Sequence, residues 1–278
     1  MLFGPFPQRY ETMRDFLSRL LILLLFLVSA ATLAGTDTAK EKRWADQIVD
    51  SLIDGEAVWL QSGGHKFLAI YTPSDAPEVR GAAILLHGIG AHPDWPEVIH
   101  PLRTALPEHG WATLSIQLPV LPNEAEMNDY LPLFDEVAPR INAAVAYLKQ
   151  QKILNQVLIA HSLGTAMASH YLTGKPDPAI RAWVGISMIE SRADPRLSNV
   201  AALMKIRLPV LDIYGSQDLD SVRQAAPARK RAARAANNRG YAQVEVDGAD
   251  HFFNNREDEL IRRIRGWLKR QADGMEVP

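Results

Sequence analysis

The sequence of 278 residues predicts an α/β protein, with a mostly parallel sheet covered by helices on both faces. From Gly81 onward, short apolar runs alternate with longer segments of helical periodicity, which is the pattern of repeated strand, helix and strand units. The composition, 47% hydrophobic and 22% charged, is that of an ordinary globular protein. No internal repeat or interdomain linker divides the sequence, so residues 35–278 are predicted to form a single domain.

Residues 1–34 have the layout of a secretory signal peptide. Three arginines lie before the apolar run from Leu20 to Val28, and small residues follow it up to Ala34. Even extended to Ala34, the apolar stretch gives about 15 residues, or roughly 22 Å of helix, against the roughly 30 Å hydrocarbon core of a bilayer. We therefore expect cleavage and a periplasmic or secreted protein. An uncleaved anchor in the inner membrane is the alternative.

A helix and a hairpin are predicted next. Thr38 and Glu41 have the spacing of a capping box, and apolar residues recur after them at helical intervals. Glu56 to Gln61 and Lys66 to Tyr71 flank the turn sequence Ser-Gly-Gly-His and alternate in polarity, as hairpin strands do.

The parallel part of the sheet is predicted from six apolar runs. The predicted strands are Ala82 to Leu86, Trp111 to Leu118, Gln156 to Ala160, Ile180 to Ser187, Pro209 to Tyr214 and Tyr241 to Val246. The predicted helices are Pro96 to Leu106, Asp135 to Gln150, Leu163 to Leu172, Pro195 to Lys205, Ser221 to Ala236 with Pro227 as a candidate break, and Asn255 to Arg270. The short connection between Ser187 and Pro209 leaves room for one helix and for no separate lid domain. By contrast, Pro119 to Pro132 is a long acidic segment broken by prolines, at a strand end where substrates are commonly contacted.

Ser162 occupies the sharp turn predicted between a strand and a helix. The apolar run that begins at Gln156 leads into Ala-His-Ser-Leu-Gly, in which small residues flank the serine. A nucleophile elbow, G-x-S-x-G, has this pattern because crowding demands small neighbours and strain exposes the serine Oγ. Ala160 replaces the first glycine, and a methyl group is tolerated there. Ser162 is therefore the candidate nucleophile, with an ordinary helix N-cap as the alternative.

A serine nucleophile requires a base and an acid, and both have candidates late in the sequence. Asp218 follows a predicted strand and a glycine, and His251 lies in the loop after the last predicted strand. Both loops are expected to open on the same edge of the sheet as Ser162. Asp212 and Asp220 are rival acids, but the turn position after the glycine favours Asp218.

The remaining component is a pair of donors for a developing oxyanion. The sequence His-Gly-Ile-Gly, which contains Ile89, directly follows the first parallel strand, and its glycines let backbone N–H groups turn toward the nucleophile. We assign the N–H groups of Ile89 and Leu163 to this role. Leu163 also opens the helix after the elbow, where the helix dipole favours negative charge.

The segments LLHGIG, IAHSLGTAMA, LDIYGSQD and GADHFF together resemble the α/β-hydrolase superfamily, over the sequence from about Gly81 to the end. More narrowly, LLHGIGAHPDW, ATLSIQLPVL, YLPLFDE and VLDIYGSQDL are similar to a proteobacterial branch of it that is described only as a domain of unknown function. The resemblance implies an α/β-hydrolase fold and no particular substrate. It implies the following roles: Ser162 as nucleophile, Asp218 as acid, His251 as base, and Ile89 and Leu163 as oxyanion donors.

Composition and the other polar clusters exclude several classes of function. The net charge of −2 predicts no nucleic-acid partner, and the absence of cysteine excludes disulfides, thiolate catalysis and a lipoprotein anchor. No cofactor or metal is predicted, because His87, His92, Asp94 and His100 match no standard ligand spacing. His161 is expected to pack beside the elbow, with a role in shaping the elbow as the alternative. A run of basic residues at helical spacing consists of Arg229, Lys230, Arg231 and Arg234. We expect it to form a solvated helix face, and peripheral contact with anionic lipid headgroups is the alternative.

The sequence therefore predicts an exported serine hydrolase that cleaves an ester or related acyl bond through an acyl-enzyme. Its substrate is expected to be a small or lipid-like acyl compound. An acyltransferase, a peptidase or a thioesterase with the same triad remains open, and so does a non-catalytic binding module of the cell envelope. Oligomeric state is not predicted.

Overall fold

The computed structural model describes Met1 and residues 35–272. The chain divides into two compact units, Met1–Gly35 and Thr36–Pro278, and the fold described here is that of the second. The predicted signal peptide lies, apart from Met1, outside the described residues. Within the described ranges, none of the helices combines the length and the apolar character needed to cross a membrane.

An eight-stranded sheet forms the centre of the fold. Its strands are β1 Glu56–Ser62, β2 His65–Thr72, β3 Gly81–Leu86, β4 Trp111–Ile116, β5 Gln156–His161, β6 Ile180–Ile186, β7 Val210–Gly215 and β8 Tyr241–Val246. They lie in the order β1-β2-β4-β3-β5-β6-β7-β8. β2 is antiparallel to β1 and to β4, and all other neighbours are parallel. The mostly parallel sheet and the N-terminal hairpin were both predicted and are confirmed.

Helices cover both faces of this sheet. They are α1 Thr38–Ser51, α2 Ile99–Ala105, α3 Phe134–Gln150, α4 Leu163–Thr173, α5 Asn199–Leu203, α6 Asp220–Ala235 and α7 Glu257–Gln271. Alternate residues of β3 show the two layers, since Ile84 packs in one core cluster with α3 and α4, and Leu85 in the other with α2 and α7. Because they are covered on both faces, β3 to β7 are buried along their length apart from one half-buried position in β6, which explains their continuous apolar runs.

Three predicted helix boundaries were wrong for local reasons. Asp37, not Thr38, caps α1, because its carboxylate accepts the N–H of Lys40 at 2.9 Å. The single helix predicted over Pro195 to Lys205 is a 3₁₀ turn followed by α5, divided at Ser198, whose hydroxyl caps the second piece. α2 begins later than predicted, at Ile99.

Two segments that contain prolines are more regular in the structure than their sequences indicate. α6 runs unbroken through Pro227, which lies on its exposed side, where water can satisfy the carbonyl that a proline leaves unpaired. The second half of the segment Pro119 to Pro132 is not irregular but forms a 3₁₀ helix, Met127–Leu133.

The expectation of a solvated basic face was wrong for Arg229. This side chain is fully buried, and its guanidinium binds the carboxylate of Asp212 through Nε at 2.7 Å and Nη2 at 3.1 Å. Its Nη1 donates to the carbonyl oxygens of Met188 and Val222. The other three members of the run, Lys230, Arg231 and Arg234, are exposed.

Candidate active site

Ser162 lies at the turn between β5 and α4 in a conformation that is unfavourable for a residue with a side chain. Its φ is +53°, and its N–H donates to the carbonyl of Ile186 at 3.0 Å. A Cβ on Gly88 would lie 3.1 Å from the Cβ of Ser162, and a Cβ on Gly164 would lie 2.4 Å from the carbonyl oxygen of His87. These contacts explain the small residues around the serine. Ser162 precedes α4, but its side chain makes no capping hydrogen bond.

The structure brings Ser162, His251 and Asp218 together in one hydrogen-bonded line. His251 Nε2 lies 3.0 Å from Ser162 Oγ, and His251 Nδ1 lies 2.6 Å from Asp218 Oδ1. A carboxylate only accepts hydrogen bonds, so Nδ1 carries the proton and Nε2 is free to accept the serine proton. Both distances fall within the range needed for proton transfer between positioned groups.

Asp218 is buried, and both of its carboxylate oxygens accept hydrogen bonds. Its Oδ1 also accepts the N–H of Leu219 at 2.7 Å, and its Oδ2 accepts the hydroxyl of Ser187 at 2.5 Å. Burial by itself raises the pKa of the Asp218 carboxyl, but the hydrogen bonds from His251 and Ser187 outweigh it and hold that pKa below its ordinary value. The group is therefore ionised, as the partner of an imidazole must be.

The rival acids are placed in other roles. Asp212 forms the buried ion pair with Arg229. Asp220 is exposed at the start of α6 and pairs with Arg223. Asp250, the residue before His251, was not a rival acid, and it accepts backbone N–H groups in the turn before the last helix.

The loop after β3 is held by His87, which is buried beneath it. His87 Nε2 accepts the N–H of Leu118 at 2.9 Å, so its Nδ1 carries the proton and donates to the carbonyl of Gly88. Burial lowers the pKa of His87 to about 3, which keeps the ring neutral and this pattern of hydrogen bonds fixed. The N–H groups of Ile89 and Leu163 donate to no other residue in the described part of the chain, which leaves both available to a ligand.

His161 does more than pack beside the elbow. Its Nε2–H donates to the carbonyl oxygen of His251 at 2.9 Å, and the two rings lie 5.0 Å apart. Burial, with a smaller contribution from His251, lowers the pKa of His161 to about 4, so this ring is also neutral. His161 thus fixes the backbone of His251 by this hydrogen bond.

Ser187 was missed as a site residue. It follows β6 directly, at the same sheet edge as the triad, and it contacts Asp218. The only signal in the sequence was its position, as the last residue of a strand predicted to run from Ile180 to Ser187.

No metal site is formed by the described residues, since no three of their His, Cys, Asp or Glu side chains are grouped to hold an ion. Within the histidine-rich segment, Asp94 instead accepts hydrogen bonds from His100 at 2.9 Å and from Arg103 at 2.7 Å.

Three large apolar side chains that adjoin residues of the site in the sequence are exposed. Ile89 is 39% exposed, Leu219, which follows Asp218, is 50% exposed, and Phe252, which follows His251, is 41% exposed. The ring of Phe252 lies edge-on to that of His251 at 5.1 Å. We call these three side chains the apolar rim.

The two buried neutral histidines make stability depend on pH. In the unfolded chain they titrate at their ordinary value of 6.5, whereas the folded values are about 3 and about 4. Their contribution is complete above pH 6.5 and is lost as the pH falls toward the folded values. We expect the free energy of unfolding to fall by about 1.4 kcal/mol per pH unit for each histidine below pH 6.5.

Urea unfolding at pH 7, 6 and 5 measures this dependence. His87→Gln, which retains an acceptor for Leu118, should reduce the slope by about 1.4 kcal/mol per pH unit. A free energy of unfolding that stays constant from pH 7 to pH 5 would contradict the neutral buried state of both rings.

Comparison with known proteins identifies a matching family and solved structures with the same fold. The family model described as "Protein of unknown function (DUF3530)" matches residues 19–132 and 122–270. No curated protein is significantly similar in sequence. Est1E from Butyrivibrio proteoclasticus is 19% identical with a TM-score of 0.59, over 77% of this chain and 98% of that one. An alpha-beta serine hydrolase homologue from Coxiella burnetii is 17% identical with a TM-score of 0.61, over 78% and 99%. A putative dienelactone hydrolase from Klebsiella pneumoniae is 18% identical with a TM-score of 0.60, over 77% and 97%. The predicted α/β-hydrolase fold is confirmed, as is the resemblance to a branch of unknown function.

Proposed function

The chain belongs to the DUF3530 family, whose description assigns no activity, and we propose that it is a serine hydrolase that cleaves an ester or related acyl bond through an acyl-enzyme. The observation that carries the proposal is the distance of 3.0 Å between Ser162 Oγ and the unprotonated Nε2 of His251. A serine that only caps a helix does not need to face an imidazole whose other nitrogen is hydrogen-bonded to a buried carboxylate. The proposed location, the periplasm or outside the cell, rests on residues 1–34 alone.

In the acylation step, Ser162 Oγ attacks the substrate carbonyl carbon while His251 Nε2 takes the serine proton. Asp218 stabilises the resulting imidazolium through its hydrogen bond to Nδ1. The oxyanion accepts hydrogen bonds from the N–H groups of Ile89 and Leu163, each worth on the order of 3 kcal/mol when correctly aimed. As the tetrahedral intermediate collapses, the bond to the leaving alkoxide breaks, and the proton passes from His251 to that oxygen.

Deacylation repeats these steps with water as the nucleophile. His251 removes a proton from water as its oxygen attacks the acyl carbon, and then returns a proton to Ser162 Oγ as the acid leaves. The strained turn at Ser162 holds Oγ in the same place for both steps.

Labelling with a fluorophosphonate tests the assignment directly. The wild-type protein should react with one equivalent of the reagent, and peptide mapping should find the phosphonyl group on Ser162. Hydrolysis of a short acyl ester should stop as labelling proceeds. Labelling at another residue, or full esterase activity of the labelled protein, would contradict the proposal.

The apolar rim supports a substrate with an apolar acyl chain. The rim residues are exposed and adjoin the loop after β3, Asp218 and His251 in the sequence, whereas Ser162 is only 7% exposed. An acyl chain that lies across them while its carbonyl reaches Ser162 would bury apolar surface. Burial of a methylene group is worth up to about 0.8 kcal/mol. We therefore expect kcat/KM for p-nitrophenyl esters to rise from acetate to octanoate.

Phe252→Ala should flatten this dependence, lowering kcat/KM for the octanoate by about tenfold while leaving the acetate nearly unchanged. Trp59→Ala is the matched control, because Trp59 is also an exposed aromatic residue, at 51%, but lies in the edge strand β1. An equal loss for both esters would assign Phe252 to supporting His251 and not to the substrate.

A further inference from the structure

Ser187 contacts β7, Asp218 and His251. It follows β6, and its N–H donates to the carbonyl of Ile213 in β7 at 2.8 Å. Its hydroxyl is 2.5 Å from Asp218 Oδ2 and 3.3 Å from the carbonyl oxygen of His251. The side chain is fully buried. A hydroxyl has one proton, so the shorter contact, to Asp218, takes it.

The backbone at Ser187 is strained. Its φ is +52°, in the left-handed region where a glycine would be more stable. A strained conformation at a buried serine next to a candidate active site points to a role for its side chain. Ser162 also has a positive φ, of +53°, and the two residues directly follow the neighbouring strands β5 and β6.

The hydroxyl restrains the part of Asp218 that His251 does not hold. Asp218 Oδ1 is fixed by His251 Nδ1 and Leu219 N–H. Among the described residues, Oδ2 accepts from Ser187 and makes one further, long contact of 3.4 Å with the N–H of Gly215. Without the hydroxyl, the carboxylate could rotate about its Cβ–Cγ bond and draw Oδ1 out of line with the imidazole.

We propose that Ser187 is a positioning residue, whose hydroxyl locks the Asp218 carboxylate so that its Oδ1 holds His251 in line with Ser162. The kinetic effect expected from this inference rests on the proposed function. The orientation of the imidazole can be measured even if the proposed function is wrong. His161 also restrains His251, through its hydrogen bond to the carbonyl oxygen of His251.

Two variants separate the hydroxyl from the backbone. Ser187→Ala removes the hydroxyl and keeps the strain, whereas Ser187→Gly removes the hydroxyl and relieves the strain, so that it stays folded even if the alanine variant does not. Ser169→Ala is the control: Ser169 is equally buried, and its hydroxyl donates only to the carbonyl of Ala166 within α4.

Both Ser187 variants should lower kcat for an acyl ester by about 10- to 100-fold, with KM changed by less than about twofold. The downfield ¹H resonance of His251 Nδ1–H should shift or broaden in both, and it should be unchanged in Ser169→Ala. A kcat within about threefold of wild type in the folded variants, or an unmoved resonance, would overturn the proposal. If the wild-type protein has no hydrolase activity, the proposed function fails, but the resonance still decides whether Ser187 orients His251.

Discussion

Replacing Ser162 by alanine is expected to lower kcat for acyl esters by about six orders of magnitude and to abolish labelling by a fluorophosphonate. The reason is that Oγ is the only atom of the triad that forms a bond to the substrate. The proposed oxyanion donors, the N–H groups of Ile89 and Leu163, belong to the backbone and remain in place, so a residual rate above that in water is expected. Initial rates with a p-nitrophenyl ester, together with intact mass after labelling, measure both effects.

Two controls make this result specific to the nucleophile. Ser162→Ala should unfold at nearly the same urea concentration as the wild type, because the elbow contacts are made by backbone and by glycines. Ser169→Ala, in α4, the helix that follows Ser162, should retain full activity. Esterase activity in Ser162→Ala within about tenfold of the wild type would mean that another residue is the nucleophile, and the proposed mechanism would be wrong.

The elements that hold the site could be predicted because pattern and topology constrain each other. Continuous apolar runs are the consequence of burial on both faces, and parallel strands bring their carboxyl ends to one edge. For that reason Ser162, Asp218 and His251, which lie far apart in the sequence, were expected to meet, and the structure places them together. Their roles in catalysis remain predictions.

What could not be predicted depends on contacts that have no periodicity. The buried state of Arg229 is set by Asp212, in a different element, and a basic run at helical spacing is the same pattern whether its members are solvated or paired. The contribution of Ser187 depends on a hydroxyl direction and a positive φ. The cap of α1 shifted to Asp37 because Glu41 is taken by Arg140 and His65 and is not available for a capping box.

The largest effect on stability is expected from Arg229→Met. Arg229 and Asp212 are both fully buried, so the variant leaves a carboxylate in the interior without its counter-charge. Tyr241 and Gln243 still donate to Asp212, at 2.7 and 2.8 Å, but they are neutral. Breaking a buried pair by removing one partner costs about 3–5 kcal/mol, and the lost donors to Met188 and Val222 add to it. Urea unfolding at pH 7 measures the change.

The charge, and not the loss of packing, is expected to be the main cause. Asp212→Asn combined with Arg229→Met should therefore recover part of the lost free energy of unfolding, because an asparagine still accepts from Tyr241 without requiring a counter-charge. Arg231→Met, on the exposed face of the same helix, should change the free energy of unfolding by less than about 0.5 kcal/mol. If Arg229→Met were no less stable than Arg231→Met, the ion pair between α6 and β7 would contribute nothing to the fold.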